Sequence, residues 1–124
     1  MAQNKTCRWG PIALTTTLTT NLLNPGTTTG GVNMPASSTN LYFIIRHIRL
    51  VNKTASSATA SFWVGATGAN AAGTEVIAQG MPVAANSVVD WYGLLRLDVG
   101  DYLVGGASAG TSISFQAEGE IGVA

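Results

Sequence analysis

The sequence predicts an all-β fold, an antiparallel β-sandwich of jelly-roll-like type preceded by an extended N-terminal arm. Short apolar or alternating segments recur with Gly, Pro, Asn or Asp turn signals between them, as in sandwiches and barrels. No segment sustains the roughly 3.6-residue apolar period of an amphipathic helix. The segment Thr111–Val123 alternates between apolar and polar residues, which is typical of a half-buried antiparallel strand.

Residues 1–11 are predicted to form the arm, and residues 12–124 a single sandwich domain. The arm sequence is polar up to Trp9, which Gly10 and Pro11 follow, and terminal segments are usually disordered unless a contact holds them. A tryptophan carries a large apolar surface, so we expect Trp9 to dock on its own domain or on a neighbour. Because an arm alone does not bury it, we predict a partner surface.

After the arm come a predicted strand, a long loop and a second strand. Ile12–Leu23 is rich in threonine and leucine, and β-branched residues favour strands. Asn24–Asn40 is rich in Gly, Pro, Ser and Thr, which predicts a loop. Leu41–Asn52 is apolar on both faces in its first half, as in a strand that is covered on both sides.

The only basic cluster lies on this second strand and just after it: Arg46, His47, Arg49 and Lys53. Alternation places Arg46 on the same face as Ile44 and Ile48. His47 and Arg49 then face the other way. A nucleic-acid site needs more positive charge and exposed aromatic residues, so we expect this cluster to pair with acids or to contact a protein.

Further strands complete the predicted sandwich. Ala58–Thr67 is predicted to return as the second strand of a hairpin, and a short strand follows it. Val88–Leu97 is predicted to bend at Gly93, since glycine inside a strand often marks a bulge. Tyr102–Ser108 is predicted to begin the next strand. The last strand is predicted to bury Ile113, Phe115 and Ile121.

The charge is sparse and unevenly distributed. Only 10% of the residues are charged and the formal net charge is zero, a surface that is weakly protected against association. Residues 1–62 contain five basic residues and no acid, whereas residues 63–124 contain one arginine and six acids. This split indicates that the two halves meet, either within one subunit or between two.

The acidic pairs are better explained by structure than by catalysis. Asp98 and Asp101 fit a turn, in which aspartates accept hydrogen bonds from nearby N–H groups and Gly100 takes a positive φ. Glu118 and Glu120 lie on the polar face of the last strand, where solvated or interface acids are expected. Carboxylate catalysis requires two acids facing one cleft. We therefore predict that the protein is not an enzyme.

The remaining candidate groups leave no cofactor site and one open alternative. Cys7 is the only cysteine and His47 the only histidine, too few for a metal site of the usual kind. Trp63, Trp91 and Tyr92 either line a sugar-binding platform or fill a small β core. No apolar run of about 18 residues is present, so no membrane span is predicted.

Three stretches together form one pattern. A hairpin with a Gly/Ala-rich tip is followed by an Asn-Ser turn and then by a Leu-x-Leu-x-x-Gly-Asp-x-Leu step into a final strand. The stretches are "IRLVNKTASSATASFWVGATG", "NSVVDWYGLLRLDVGDYLVGG" and "AEGEIGVA". Together they resemble small β-sandwich virion structural proteins of tailed bacteriophages, of the head decoration or cement type. The resemblance covers about residues 48–124 and carries over no catalytic residue.

This resemblance implies a capsid decoration or cement protein that stabilises the head by binding its outer surface between capsomers. A tail, head-fibre or receptor-binding component and a carbohydrate-binding β-sandwich module are the alternatives. The expected partners are the major capsid protein and further copies of the chain as a homotrimer, with no nucleic acid and no membrane. The protein would be made in the host cytoplasm and located on the capsid surface of the virion. The predicted partner-binding residues are Lys5, Arg8, Trp9, Arg46 and Arg49.

Overall fold

In the computed structural model of the chain, the described residues are 4–27, 31–32, 40–77 and 80–123. They contain no helix, so the predicted all-β class is confirmed for this part of the chain. The strands are β1 (Lys5–Ala13), β2 (Asn21–Leu23), β3 (Gly31–Val32), β4 (Asn40–Asn52), β5 (Ala58–Gly65), β6 (Met81–Val83), β7 (Ser87–Asp98), β8 (Tyr102–Ala107) and β9 (Ile113–Val123).

The strands form two antiparallel sheets. The larger sheet has five strands in the order β3-β1-β9-β4-β7, and the smaller sheet has four in the order β2-β8-β5-β6. The longest strands, β4, β7 and β9, are neighbours in the larger sheet. The chain passes repeatedly from one sheet to the other, so strands that are distant in sequence become neighbours.

One hydrophobic core lies between the inner faces of the two sheets. Phe62 of the smaller sheet packs against Phe115 of the larger sheet, with ring centroids 5.6 Å apart. Trp9 packs against Phe43 at 4.9 Å. All four rings are fully buried, and each such side chain contributes about 1.5–3 kcal/mol relative to its exposure to water.

The last strand behaves as its alternation predicted. Ile113, Phe115 and Ile121 are buried in the core, on the face that β9 turns toward the smaller sheet. The strand begins at Ile113 rather than at Thr111, because Thr111 lies in the preceding turn with a φ of 56°. The predicted burial is confirmed.

The predicted extended arm is wrong for the described residues of that segment. Residues 5–11 belong to β1, which pairs with β9 from Lys5 opposite Ile121 to Ala13 opposite Ser114. Trp9 is fully buried in the core of its own chain, so it needs no partner surface. The strand therefore runs through the boundary that was expected at Ile12.

The threonine-rich segment after β1 is a connection rather than the predicted strand. Between β1 and β2, Thr15 and Thr20 accept hydrogen bonds through their carbonyl oxygens from the backbone of β8. The segment then folds over Gly106, where a methyl group would lie 2.6 Å from the carbonyl oxygen of Thr15 and 3.0 Å from that of Thr17. Threonine suits this tight connection because its hydroxyl group can bond the nearby backbone. The Thr20 hydroxyl, for example, donates a hydrogen bond to the Thr17 carbonyl oxygen at 2.7 Å.

The chain's own connections thus bury the outer face of the smaller sheet. Trp63 points away from the core on β5 and is nevertheless only 2% exposed. Ser61, on the same face, is buried and accepts a hydrogen bond from the backbone N–H of Gly80 at 2.7 Å. This face is consequently covered around Ser61 and Trp63, while Pro82 of β6 stays exposed.

The face assignment predicted for β4 is wrong at its centre. The register of β4 against both neighbours shifts between Ile45 and His47, so Arg46 and His47 both point outward. Ile48 lies in the core while Ile44 and Arg46 do not. A β-bulge of this kind inserts one residue and reverses the facing of the residues beyond it, which strict alternation does not reveal.

Candidate binding face

The outer face of the larger sheet brings the two charged halves of the chain together. Strand β4 lies between β7 and β9, so its basic residues meet the acids of the second half. Arg49 lies opposite Asp90, and Glu118 lies between His47 and Arg8. The meeting predicted from the charge split therefore occurs within one chain.

Asp90 is the centre of the strongest charge cluster on this face. Its Oδ1 accepts hydrogen bonds from Arg49 Nε at 2.8 Å and from His47 Nε2 at 2.8 Å, and its Oδ2 accepts from Arg49 Nη2 at 3.3 Å. The Arg49 guanidinium, followed by His47, holds the pKa of Asp90 below its ordinary value. Opposite charges and hydrogen bonds to the ionised form both have this effect.

A second cluster surrounds Glu120 near the other end of the face. Its Oε2 accepts a hydrogen bond from Arg46 Nε at 2.7 Å, and its Oε1 accepts from Asn4 Nδ2 at 3.2 Å. Arg46, followed by Asn4, lowers the pKa of Glu120. Tyr42 donates its hydroxyl hydrogen to Asn4 Oδ1 at 2.9 Å, so the cluster connects β9 and β4 with the residue just before β1.

Exposed apolar side chains stand among these charges on β7. Tyr92 is 72% exposed, Leu94 67% and Val88 49%. The Tyr92 ring stacks on His47 with centroids 4.7 Å apart and planes 16° apart. One side of Tyr92 is therefore held by the sheet while the rest faces solvent, an arrangement that offers preorganised apolar area to a partner.

Two shallow concavities lie near the centre of the face. A depression of ≈ 280 Å³ lies between the side chains of Arg46, His47 and Glu118, and a neighbouring one of ≈ 260 Å³ lies beside Arg8 and Thr6. Enzyme and ligand sites are usually enclosed clefts with converging polar groups. At the described residues these depressions are open, and they suit contact with another surface better than enclosure of a small molecule.

The structure separates the residues that were predicted to bind a partner. Arg46 and Arg49 lie on the outer face and are about half exposed, each in an ion pair within its own chain. Arg8 is exposed on the same face and forms no ion pair among the described residues. Lys5 is exposed near the start of β1, whereas Trp9 is a core residue. The loop predicted at 24–40 lies largely outside the described residues.

Asp98 and Asp101 form the predicted turn. The backbone N–H of Asp98 donates to Asp101 Oδ2 at 2.9 Å, and the N–H of Asp101 donates to the Asp98 carbonyl at 2.9 Å. Asp98 also pairs with Arg96 at 2.9 Å. The predicted positive φ of Gly100 is wrong, because the turn closes without a left-handed residue.

Of the three aromatic residues considered for a sugar platform, only one is available. Trp63 is covered by the chain's own connections, and Trp91 is half-buried against the core. Tyr92 is exposed but lies on a different face of β7 from Trp91. A flat platform built from all three side chains is therefore excluded by their positions.

Among the described residues, no group of three or more His, Cys, Asp or Glu side chains is placed to hold a metal ion. The described chain also has no helix long and apolar enough to cross a bilayer. Compared with models of known protein families and with curated proteins, the chain matches none.

Sequence reasoning missed the importance of Tyr92 and Leu94. Both were assigned to a strand, but Tyr92 was considered only for a sugar platform or the core, and Leu94 was given no role. A signal was present, because Val88, Asp90, Tyr92, Leu94, Arg96 and Asp98 form one alternating set. Asp90, Arg96 and Asp98 are charged, which marks this alternating set as the one that faces solvent. The apolar members of the same set must therefore face solvent as well.

Proposed function

We propose that the protein is a bacteriophage virion structural protein of the head decoration or cement type. It would bind the outer surface of the capsid between capsomers and have no enzymatic activity. The observation that carries the proposal is the outer face of the larger sheet, where paired charges surround exposed Tyr92 and Leu94. Such a face presents aromatic and aliphatic anchors without a net charge to desolvate.

The connectivity supports a jelly roll as the finer description of the fold. With the two-residue strand β3 set aside, the orders are β1-β9-β4-β7 and β2-β8-β5-β6. Eight strands linked in this way match the two Greek keys of a jelly roll, a fold that viral capsid and lectin domains share. One fold serves many functions, so the jelly-roll connectivity supports the proposal without deciding it. The main argument rests on the outer face of the larger sheet.

The balance of charge on the outer face favours a protein partner. Each guanidinium of Arg46, Arg49 and Arg96 has a carboxylate within 2.9 Å. Arg8 forms no ion pair among the described residues but lies opposite Glu118, so the face has no surplus of positive charge for a phosphate backbone. Nucleic-acid binding depends on such free positive charge. We accordingly propose the major capsid protein and further copies of this chain as partners. The homotrimer implied by the resemblance stays a prediction, which sedimentation tests.

The proposal is tested on virus particles. Particles that lack the chain are mixed with the purified protein, and binding is measured by co-sedimentation and by imaging. Saturable binding with density on the head surface is the expected result. Density confined to the tail supports the fibre or receptor-binding alternative, and absence of binding to any particle component overturns the virion role.

A matched pair of variants tests the face itself. Glu118→Arg places a positive charge among Arg8, His47 and Arg46, and we expect it to weaken particle binding by about tenfold or more. Thr16→Arg, on the connection that covers the other sheet, is the control and should bind as the unmodified protein does. Equal binding by both variants would show that a different surface contacts the capsid.

A further inference from the structure

Strand β7 is the edge of the larger sheet and is long enough to template another strand. It has 12 residues and pairs only with β4 among the described residues. On the edge of β7 that faces away from β4, residues 88–97 make no backbone hydrogen bond to any described residue. Natural edge strands are usually protected by Lys, Pro, inward-pointing charges or β-bulges. Of these, β7 has only a bulge, where Gly93 and Leu94 lie opposite the single residue Arg46.

The outward-facing residues of β7 are chemically self-complementary about Gly93. When two copies of the strand pair antiparallel with Gly93 opposite Gly93, residues at equal distances from it face each other. Asp90 then lies opposite Arg96 of the second copy, and Tyr92 lies opposite Leu94. An acid meets a base and an aromatic ring meets an aliphatic side chain, both of which are favourable cross-strand pairs.

The inward-facing residues obey the same symmetry. Trp91 would lie opposite Leu95 of the second copy, and Val89 opposite Leu97. Trp91, Leu95 and Val89 are only partly buried in the single chain, as side chains at an uncovered edge are. A strand from a second copy would cover them and continue the apolar layer of the sheet.

Neighbouring registers lack this match. A shift by two residues in one direction places Asp90 opposite Asp98, and like charges directly opposite are destabilising. A shift the other way places Arg96 opposite Val88 and Asp90 opposite Leu94, which removes both opposite-charge pairs. The register centred on Gly93 also places the irregularity of β7 on the symmetry axis, where Gly93 leaves room for the Trp91 ring that lies over it.

We propose that β7 pairs antiparallel with β7 of a second copy, centred on Gly93, and joins two larger sheets across a two-fold axis. Such an isologous contact uses the same surface twice, so the mirrored pattern within one strand is what it requires. The contact covers the sides of Tyr92 and Leu94 that face the neighbouring strand and leaves both side chains on the open outer face of the joined sheets. It does not depend on the proposed role at the capsid, and it specifies a dimer rather than the expected trimer.

Sedimentation of the full chain and of two charge variants tests the proposal. The unmodified protein should sediment as a dimer. Asp90→Arg and Arg96→Asp each place like charges opposite one another twice per dimer, and each should raise the dissociation constant by about tenfold or more. When the two variants are mixed, every pair becomes opposite in charge, so a heterodimer should form with near-original affinity.

The mixture also controls for a local effect of the substitutions, because loss of the Asp90 cluster inside one chain is not repaired by mixing. A trimer, a monomer up to about 1 mM, or single variants that dimerise as the unmodified protein does would overturn the proposal. A mixture that stays monomeric, while circular dichroism shows both variants folded, would do the same.

Cross-linking gives a second measurement that does not involve charge. Tyr92→Cys mixed with Leu94→Cys should form a mixed disulfide on mild oxidation. Val88→Cys mixed with Leu94→Cys, on the same face but four residues out of register, is the control and should not. Equal cross-linking in both mixtures would contradict the register. Particle binding is measured separately, so a dimer that binds no particle, or a monomer that does, tells the two proposals apart.

Discussion

The outer faces of the two sheets differ in what covers them. On the smaller sheet, connections of the same chain bury Ser61 and Trp63 and approach Gly106 closely. On the larger sheet, Tyr92 and Leu94 stay exposed and the charged groups pair with one another. Antiparallel sheets commonly turn one face to water. Here the difference shows which face the chain covers by itself and which it leaves exposed.

The same comparison explains the chemistry of each face. On a face covered by backbone connections, a residue such as Gly106 must leave space for the backbone that crosses it. A residue such as Trp63 must fill the space between the sheet and the connection. An open face has no such restriction, and its residues are suited to water and to partners. Substitutions in the shared core, on the covered face and on the open face should therefore differ in the size and the kind of their effects.

The largest effect is expected in the core that both sheets share. Trp9→Ala should lower the free energy of unfolding by about 3–5 kcal/mol, since it removes a fully buried aromatic side chain and leaves a cavity. Urea unfolding measures it, with Thr6→Ala on the exposed side of β1 as the control. Deletion of residues 1–10 should unfold the protein for the same reason. A loss below about 1 kcal/mol for Trp9→Ala would instead restore β1 as a separable arm.

The next effect tests the covered face. Gly106→Ala should destabilise the protein by about 1–3 kcal/mol, because overpacking forces the backbone near Thr15 to move. Gly100→Ala is the matched control, since a methyl group there meets no atom within 4 Å. Thermal melting compares the two variants. Equal melting temperatures would mean that the connection over the smaller sheet is not tightly packed.

A smaller, pH-dependent effect tests the open face. The lowered pKa of Asp90 means that its ionised form stabilises the folded state above its unfolded pKa of about 3.9. That contribution is lost as the pH falls through the folded pKa. Asp90→Asn should therefore melt below the unmodified protein near neutral pH, and the difference should vanish once the pH has fallen below the folded pKa of Asp90 and shrink in high salt. A difference that persists at low pH would assign it to packing rather than to charge.

The smallest effect is expected at the β7–β8 turn. Asp101→Asn keeps an oxygen that accepts the Asp98 N–H, so the free energy of unfolding should change by less than about 0.5 kcal/mol. Asp101→Ala removes that acceptor and should cost more. If Asn were as damaging as Ala, the charge of Asp101 rather than the turn hydrogen bond would matter.

Local patterns predicted the strands whose alternation was uninterrupted. The alternating segment before Val123 identified β9 and its buried residues, and Asp98 with Asp101 identified a turn. The pattern also contained a hint for β1, since Cys7 and Trp9 alternate with Thr6 and Arg8. It was overlooked because the segment is terminal and its pairing partner, β9, is more than a hundred residues away in sequence.

The remaining differences arise from tertiary structure. The bulge at Arg46 depends on the register of β4 against two neighbours at once, which no local pattern encodes. The connection after β1 has the composition of a strand. It is not one, because the chain must cross here from the larger sheet to β2 in the smaller sheet. The proposed binding face could not be predicted without the order of the strands, since it is assembled from β1, β9, β4 and β7.

The central position of β9 has a consequence for how the protein is made. β9 separates β1 from β4 in the larger sheet, yet the ribosome adds it after all the other strands. Until β9 emerges from the ribosome, β1 and β4 have unpaired edges at the place that β9 will fill. The apolar face of the larger sheet then lacks its central strand. Long-range pairing of this kind folds slowly, and unpaired edges invite aggregation in the meantime. A nascent chain that stalls before Ile113 is therefore a substrate for chaperones rather than a smaller version of the folded protein.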